Sequence, residues 1–76
     1  MELNESQIRY MIEGTTKDLA LFLMNDYKMD MIDALSTVYE SDTYSKLADT
    51  TTGLYSQSSI YVYDYLLNEI KNGKMA

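Results

Sequence analysis

The stretch from Gly53 to Lys71, G-L-Y-S-Q-S-S-I-Y-V-Y-D-Y-L-L-N-E-I-K, decides the fold of this chain. At its centre, I-Y-V-Y-D-Y alternates as a β-strand does, and aromatic and β-branched residues favour that structure. The segment as a whole is periodic like a helix, because its apolar residues fall within an arc of about 160° at 3.6 residues per turn. These apolar residues are Ile60, Val62, Tyr63, Leu66, Leu67 and Ile70.

Turn residues are scarce in the chain, and this decides between the two interpretations. There is no proline, and glycine occurs only at positions 14, 53 and 73. A sheet needs tight turns, which draw on Gly, Pro and Asn, and a strand needs a partner that no other segment provides. A helix has a cap available at Ser56 or Ser58 and a terminating glycine at Gly73. We therefore predict a helix over about 57–72.

Further helices are predicted N-terminal to this one. Asn4 followed by Gln7 resembles a capping box, Asp30 is a good N-cap, and Ser41 or Asp42 can begin a short helix. The sequence therefore predicts an all-α fold in a single domain over residues 1–76. We expect a small helical bundle with three main helices at about 5–26, 30–40 and 57–72 and a short helix at about 42–48.

Gly14 is the weak point of the first helix, since glycine in a helix interior costs about 1 kcal/mol relative to alanine. The β-branched Thr15 and Thr16 follow directly, so the pattern leaves open whether the helix breaks there. Gly53 is expected to take a positive φ. The predicted buried faces are Ile8, Met11, Ile12, Thr15, Leu19, Phe22 and Leu23 on the first helix and Met31, Ala34, Leu35 and Val38 on the second.

The composition excludes most catalytic and metal chemistry. The chain has neither histidine nor cysteine, so it lacks the usual general base, the commonest metal ligand and the parts of a nucleophilic triad. Glycine loops that bind phosphate are absent. Asn25, Asp26, Asp30 and Asp33 lack the glycine and the spacing of a calcium loop. We predict that the protein is not an enzyme and binds no cofactor, metal or small-molecule ligand.

The charge balance argues against two classes of partner. The chain has twelve acidic and six basic residues, a net charge of −6. Proteins that bind nucleic acid or anionic membranes instead carry basic patches. The start, M-E-L-N-E, lacks the basic region of a signal peptide. No apolar run approaches the ~18 residues of a membrane span. The sequence therefore predicts a cytoplasmic protein with no nucleic acid or membrane partner.

The small size of the chain favours a protein partner. A domain of this length buries only about 60–65% of its unfolded surface, and without disulfides or a metal the remaining support is self-association or another protein. The candidate surfaces are Tyr61, Tyr65 and Asn68 on the last helix and Tyr10, Leu21 and Met24 on the first. Tyrosine is enriched in interface hot spots. The alternative is that Tyr61 and Tyr65 are covered by the short helix or by the loop at 49–55.

The second half of the chain resembles a family of small uncharacterised bacterial proteins of gut Firmicutes and Bacteroidetes. The resemblance is carried by A-L-x-x-V-Y-x-S-D-T-Y-x-K-L from Ala34 to Leu47 and by D-x-x-T-G-L-Y-x-x-S-x-x-Y-V-Y-x-x-L-x-x-E from Asp49 to Glu69. Such families tend to be encoded in short operons, sometimes beside toxin-like genes. The resemblance implies no reaction, no cofactor and no site residue.

The function predicted from these observations is a non-enzymatic protein–protein interaction module. It would act as a homodimer or with a partner encoded in its own operon. The alternative is an acidic, antitoxin-like or regulatory protein that neutralises a basic partner, because the net charge of −6 favours a partner of opposite charge.

Overall fold

A computed structural model of the chain describes residues 4–73, in which helices follow one another without a strand. The all-α prediction is therefore confirmed, and the segment with the alternating centre is a helix. The helices are α1 (Glu5–Tyr27), α2 (Met31–Tyr39), α3 (Asp42–Ala48) and α4 (Ser59–Asn72), with 3₁₀ turns at Thr50–Thr52 and Leu54–Ser56. The predicted division into three main helices and a short one is matched only roughly, since α2 has nine residues and α3 has seven. The outer bounds of the predicted domain, 1 and 76, lie outside the described residues.

Each α-helix begins at a side chain that caps it. Asn4 Oδ1 accepts a hydrogen bond from the Gln7 backbone N–H (2.8 Å), and the Asn4 backbone N–H donates to Gln7 Oε1 (3.0 Å), which completes the predicted capping box. Asp30, Ser41 and Ser58 cap α2, α3 and α4 with a side-chain oxygen that accepts from the backbone N–H three residues further on. These caps satisfy backbone N–H groups that have no partner within the helix, so the helix starts are specified locally by the sequence.

Among residues 4–73, three positions have a positive φ, and each of them ends a helix or separates two 3₁₀ turns. Gly53 (φ 70°) separates the two 3₁₀ turns and Gly73 (φ 78°) ends α4, as glycine does at many helix C-termini. Lys28 (φ 59°) ends α1 in the same left-handed conformation without being glycine. The reversal at Lys28 is short, and it returns α2 directly onto the side of α1.

Gly14 does not interrupt α1, which runs unbroken from Glu5 to Tyr27. The neighbouring threonines are buried, and the Thr16 hydroxyl donates to the Ile12 carbonyl oxygen (2.7 Å). Burial of Thr15 and Thr16 against the rest of the fold offsets their low helix propensity. The question that the sequence left open is settled in favour of a continuous helix.

A single hydrophobic cluster joins the helices and the second 3₁₀ turn. Its most buried members include Leu19 and Leu23 of α1, Val38 of α2, Leu47 of α3 and Leu66 of α4, all with no exposed surface. Ala20, Ala34, Leu54, Val62 and Tyr63 complete it. Among residues 4–73, no helix combines the length and the apolar character needed to cross a bilayer.

Three residues of the predicted buried faces are exposed instead. Met31, Ile60 and Ile70 keep 46%, 68% and 37% of their surface accessible. Met31 and Ile60 lie in the first turns of their helices, and Ile70 lies in the last turn of α4. Helical periodicity shows which side of a helix is apolar, but it does not show how far along the helix the core extends. Apolar residues in terminal turns beyond the core are therefore wrongly predicted to be buried.

Candidate interaction surfaces

Carboxylates of α1 hold the inner side of α4. The Tyr63 hydroxyl donates a hydrogen bond to Asp26 Oδ2 (2.7 Å), and the Ser59 hydroxyl donates to Asp18 Oδ2 (2.6 Å). Ser59 and Tyr63 are one turn apart on α4, so the two bonds fix the rotation of that helix about its own axis. This rotation determines which side chains of α4 remain outside.

Tyr63 is the aromatic anchor of this inner side. Only 8% of its surface is exposed, and its ring centroid lies 4.9 Å from that of Phe22. Burial raises the pKa of the Tyr63 phenol, and the hydrogen bond to Asp26 raises it further. Both effects favour the neutral phenol, which is the form that donates to the carboxylate.

Glu69 joins the last turns of α4 to the start of α3. Its Oε2 accepts from the Asp42 backbone N–H (2.8 Å), and its Oε1 accepts from the backbone N–H and the hydroxyl of Thr43 (both 2.9 Å). A carboxylate at a helix N-terminus is favoured by the helix dipole as well. Partial burial acts to raise the pKa of Glu69, but these three hydrogen bonds outweigh it and lower the pKa.

The outer side of α4 carries a surface that we call the tyrosine surface: Tyr61, Asp64, Tyr65 and Asn68. These residues line a shallow concavity of about 160 Å³. The Tyr61 and Tyr65 rings meet edge to face with centroids 5.5 Å apart, and their hydroxyl oxygens are 3.4 Å apart. This hydrogen bond raises the pKa of Tyr61. The structure thus brings the predicted Tyr61, Tyr65 and Asn68 together and adds Asp64.

Tyr61 and Tyr65 differ in how much of each side chain is exposed to solvent. Tyr61 is 46% exposed, so neither the loop at 49–55 nor α3 covers it fully. Tyr65 is half-buried and packs against the hydrophobic core. Tyr65 therefore fixes the pair to the fold, and Tyr61 contributes the larger part of the surface that the pair exposes to solvent.

The predicted residues of α1 lie on a second surface, which we call the α1 stripe: Tyr10, Gly14, Lys17, Leu21 and Met24. Tyr10 is 80% exposed and Leu21 43%, whereas Met24 is half-buried against the core. At 3.6 residues per turn, the stripe lies on the side of α1 opposite to Leu19 and Leu23. None of the stripe residues lines the concavity of the tyrosine surface.

A third surface was not predicted from the sequence. A groove of about 530 Å³ lies between the first turns of α1 and the region where α2 passes into α3. We call it the α1–α3 groove. It is lined by Glu5, Ile8, Arg9, Ile12, Glu13, Tyr39, Tyr44, Ala48 and Thr50.

The walls of the α1–α3 groove are apolar and its rim is charged. Tyr39 and Tyr44 meet edge to face with centroids 5.0 Å apart, opposite the partly buried Ile8 and Ile12. Glu5, Arg9 and Glu13 follow at intervals of four along α1 and therefore lie on one side of it. Tyr39 and Tyr44 are not among the interface residues predicted from the sequence. Their meeting with residues about 30 positions earlier has no local signal.

The carboxylates considered as a calcium site have other roles. Asp30 Oδ1 accepts from the Asp33 backbone N–H (2.8 Å) as the cap of α2, and Asp26 holds Tyr63. Asn25 Nδ2 donates to the other carboxylate oxygen of Asp26 (3.2 Å). Within residues 4–73, no three acidic side chains come together as metal ligands do.

Comparisons of the chain with protein-family models, curated proteins and solved structures find no match. A role for this protein must therefore be argued from the three surfaces.

Proposed function

We propose that this chain is a non-enzymatic protein–protein interaction module of the cytoplasm, which acts through self-association or with a partner encoded beside it. The observation that carries the proposal is the tyrosine surface. Two aromatic rings are already packed on each other, and Tyr61 still keeps nearly half of its surface exposed, 46%.

Such a pair suits binding because its conformational entropy is already reduced in the free protein. Ordering side chains at an interface opposes association, and rigid aromatic residues lose little freedom when they bind. Asp64 and Asn68 add one charge and one amide beside the rings, which provides hydrogen-bonding specificity around an apolar contact. The surface has the composition of a hot spot with a polar rim.

The test is affinity capture from the organism of origin with the full chain as bait, quantified by mass spectrometry. The variant is Tyr61→Ser with Asn68→Ser, because both side chains are exposed and Tyr65, which supports the core, is left in place. We expect the protein captured by the wild type to be lost with this double variant. The expected loss in affinity is at least about tenfold.

The matched control is Ile32→Ser on α2, which removes a side chain that is 76% exposed and outside the three surfaces. This variant should capture the same protein as the wild type. Equal capture by the double variant would contradict the proposed surface. Capture of nothing by the wild type, together with a monomer at all concentrations, would contradict the interaction module itself.

A second candidate function is an acidic, antitoxin-like regulator that neutralises a basic partner. The observation that favours it is the α1–α3 groove, a concavity of about 530 Å³ with apolar walls and a charged rim. Glu5 and Glu13 on its rim outnumber Arg9. An apolar groove with a negative rim fits an apolar segment flanked by Lys or Arg.

Salt and one pair of substitutions separate the two candidates. A partner held by charge is released in 0.5 M salt, because screening then acts within a few ångströms, whereas a partner on the tyrosine surface stays bound. Glu5→Gln with Glu13→Gln should release the basic partner and leave a partner on the tyrosine surface bound. Retention of the partner by this variant would contradict the groove as its site.

A further inference from the structure

The α1 stripe has the spacing of a coiled-coil seam. Its five residues are separated by four, three, four and three positions, which is the a/d pattern of a heptad. The opposite side of α1 packs Leu19 and Leu23 into the core, so α1 has two seams, and the fold covers one of them fully and the second only at Met24. We propose that the α1 stripe binds the same stripe of a second copy of this chain, with the two α1 helices antiparallel. The inference rests on the proposed function and names one partner for it.

Gly14 is unexplained by the fold of a single chain. A Cβ at this position would meet no atom within 4 Å, and the residue lies in the interior of a continuous helix. Alanine would therefore fit one isolated chain and would favour the helix. Glycine is the residue that lets another backbone approach closely, and Gly14 lies at an inner position of the stripe.

The charge of the stripe is suited to self-association. The chain has 12 acidic and 6 basic residues, so two copies repel each other across most of their surfaces. The stripe contains no carboxylate, and Lys17 is its one charged residue. Two stripes can therefore approach without bringing acidic side chains face to face.

The position of Lys17 selects the antiparallel orientation. A parallel pair would place Lys17 against Lys17 of the second copy in one layer. An antiparallel pair with its two-fold axis between positions 15 and 16 places Tyr10 against Leu21 of the second copy. The same register places the Lys17 stem against Gly14 of the second copy, where a long aliphatic stem packs well.

Glu13 completes the self-complementarity. It is exposed and adjacent to Gly14, so the Lys17 ammonium group of one copy lies beside the Glu13 carboxylate of the other. The two-fold axis repeats each pairing, as an isologous interface requires. The four stripe residues from Tyr10 to Leu21 thus meet their complements within the same sequence, and Met24 lies at each end of the contact.

The size of the contact sets its strength. From Tyr10 to Met24 the stripe is about 21 Å long at 1.5 Å per residue, which corresponds to an interface at the small end of the specific range. We therefore expect a reversible dimer that dissociates on dilution.

The test is sedimentation of the full chain over a concentration series, in which the 8.8 kDa species should convert to one of twice that mass. Gly14→Gln places a side chain between the two backbones and should weaken self-association at least about tenfold. Far-UV circular dichroism should show that its helix content is at least that of the wild type. Ser36→Gln, at an exposed position of α2, is the matched control and should dimerise normally.

A charge exchange tests the register independently of Gly14. Glu13→Lys and Lys17→Glu should each weaken the dimer, because each places like charges beside one another across the axis. The double variant should regain most of the wild-type affinity. Because Glu13 and Lys17 are also four positions apart on one helix, circular dichroism must show that the single variants keep the wild-type helix content. With helix content unchanged, such a recovery supports an antiparallel pairing of these two positions.

Two results would overturn the inference: a monomer at every concentration, or a dimer that Gly14→Gln and the single charge reversals leave unchanged. Capture of a partner through Tyr61 is measured separately. If that capture is seen while the wild type is a monomer, this inference is wrong and the proposed function stands. Equal capture by the wild type and by the Tyr61→Ser, Asn68→Ser variant, beside an intact dimer, removes the tyrosine surface and leaves this inference intact.

Discussion

Tyr61 and Tyr63 stand two positions apart on α4 and have opposite environments. Tyr63 is 8% exposed, packs on Phe22 and donates to the Asp26 carboxylate at 2.7 Å. Tyr61 is 46% exposed, and its hydroxyl meets that of Tyr65 at 3.4 Å, which is long for an O–H···O bond. One residue type thus stabilises the fold on the inner side of α4 and remains available on the outer side.

The difference shows how an acidic chain uses its carboxylates. On the inner side, Asp18, Asp26 and Glu69 accept hydrogen bonds from hydroxyl and backbone N–H groups of other elements. On the outer side, Asp64 lies beside the exposed aromatic pair. Carboxylates therefore fix the orientation of α4 within the fold, and the outer side of the helix exposes aromatic surface.

The largest expected effect comes from the inner side of α4 at Leu66, which has no exposed surface. Leu66→Ala leaves a cavity in the core and should lower the free energy of unfolding by about 3 kcal/mol. Urea denaturation followed by circular dichroism measures it. Ile60→Ala on the same helix, where the side chain is 68% exposed, should change that free energy by less than about 0.5 kcal/mol. Equal effects of the two substitutions would mean that the inner and outer sides are not as described.

The next effect comes from Glu69→Gln. The amide keeps one acceptor but places an NH₂ group against backbone N–H donors, so the unfolding free energy should fall by about 2 kcal/mol. Glu40→Gln, at an exposed glutamate after α2, is the control and should be close to neutral.

The contribution of Glu69 should also depend on pH with a definite sign. The pKa of Glu69 is lowered in the fold, so its contribution is fully present above the unfolded-state pKa, about 4.3. It is lost as the pH falls through the lower pKa of the folded state. The wild type and Glu69→Gln should therefore converge in stability at acidic pH. A difference between them that stays constant with pH would show that the carboxylate charge has no role at α3.

A smaller effect is expected for Tyr63→Phe, which removes the hydroxyl bonded to Asp26 and keeps the ring. The unfolding free energy should fall by about 1 kcal/mol. Because the pKa of Tyr63 is raised in the fold, wild-type stability should decline as the pH rises above about 10, and the variant should lack that part of the decline. Tyr10→Phe, at a tyrosine that is 80% exposed, is the matched control and should leave both quantities nearly unchanged.

The smallest effect on stability is expected for Tyr61→Ser. The Tyr61 side chain is exposed on the tyrosine surface. The unfolding free energy derived from thermal denaturation should therefore change by no more than about 0.5 kcal/mol. Its effect should appear in binding instead. A loss of more than about 2 kcal/mol in unfolding free energy would place Tyr61 in the core and remove the contrast with Tyr63.

The helices were predictable because their signals are local. Asn4, Asp30 and Gly73 each act on backbone groups within a few positions, so the caps and the class of the fold follow from short stretches. The buried side of each helix was predictable for its central turns, as at Leu19 and Leu66.

What joins the helices was not predictable. Glu69 lies outside the predicted apolar arc of its helix, and its partners at Asp42 and Thr43 lie 27 and 26 positions away. The α1–α3 groove likewise exists because distant segments meet. Gly14 shows the reverse case. Its low helix propensity indicated a possible break, but tertiary packing of Thr15 and Thr16 keeps the helix continuous.

The Glu69 carboxylate makes the start of α3 dependent on the last turns of α4, 26 to 27 positions further along the chain. A helix of seven residues does not persist alone in water, so its first amides become protected from hydrogen exchange only when the last turns of α4 are docked. The end of α4 and the start of α3 therefore open as one cooperative unit. The amide protons of Asp42 and Thr43 are in this way reporters of α4, and their exchange rates measure how often that helix end detaches.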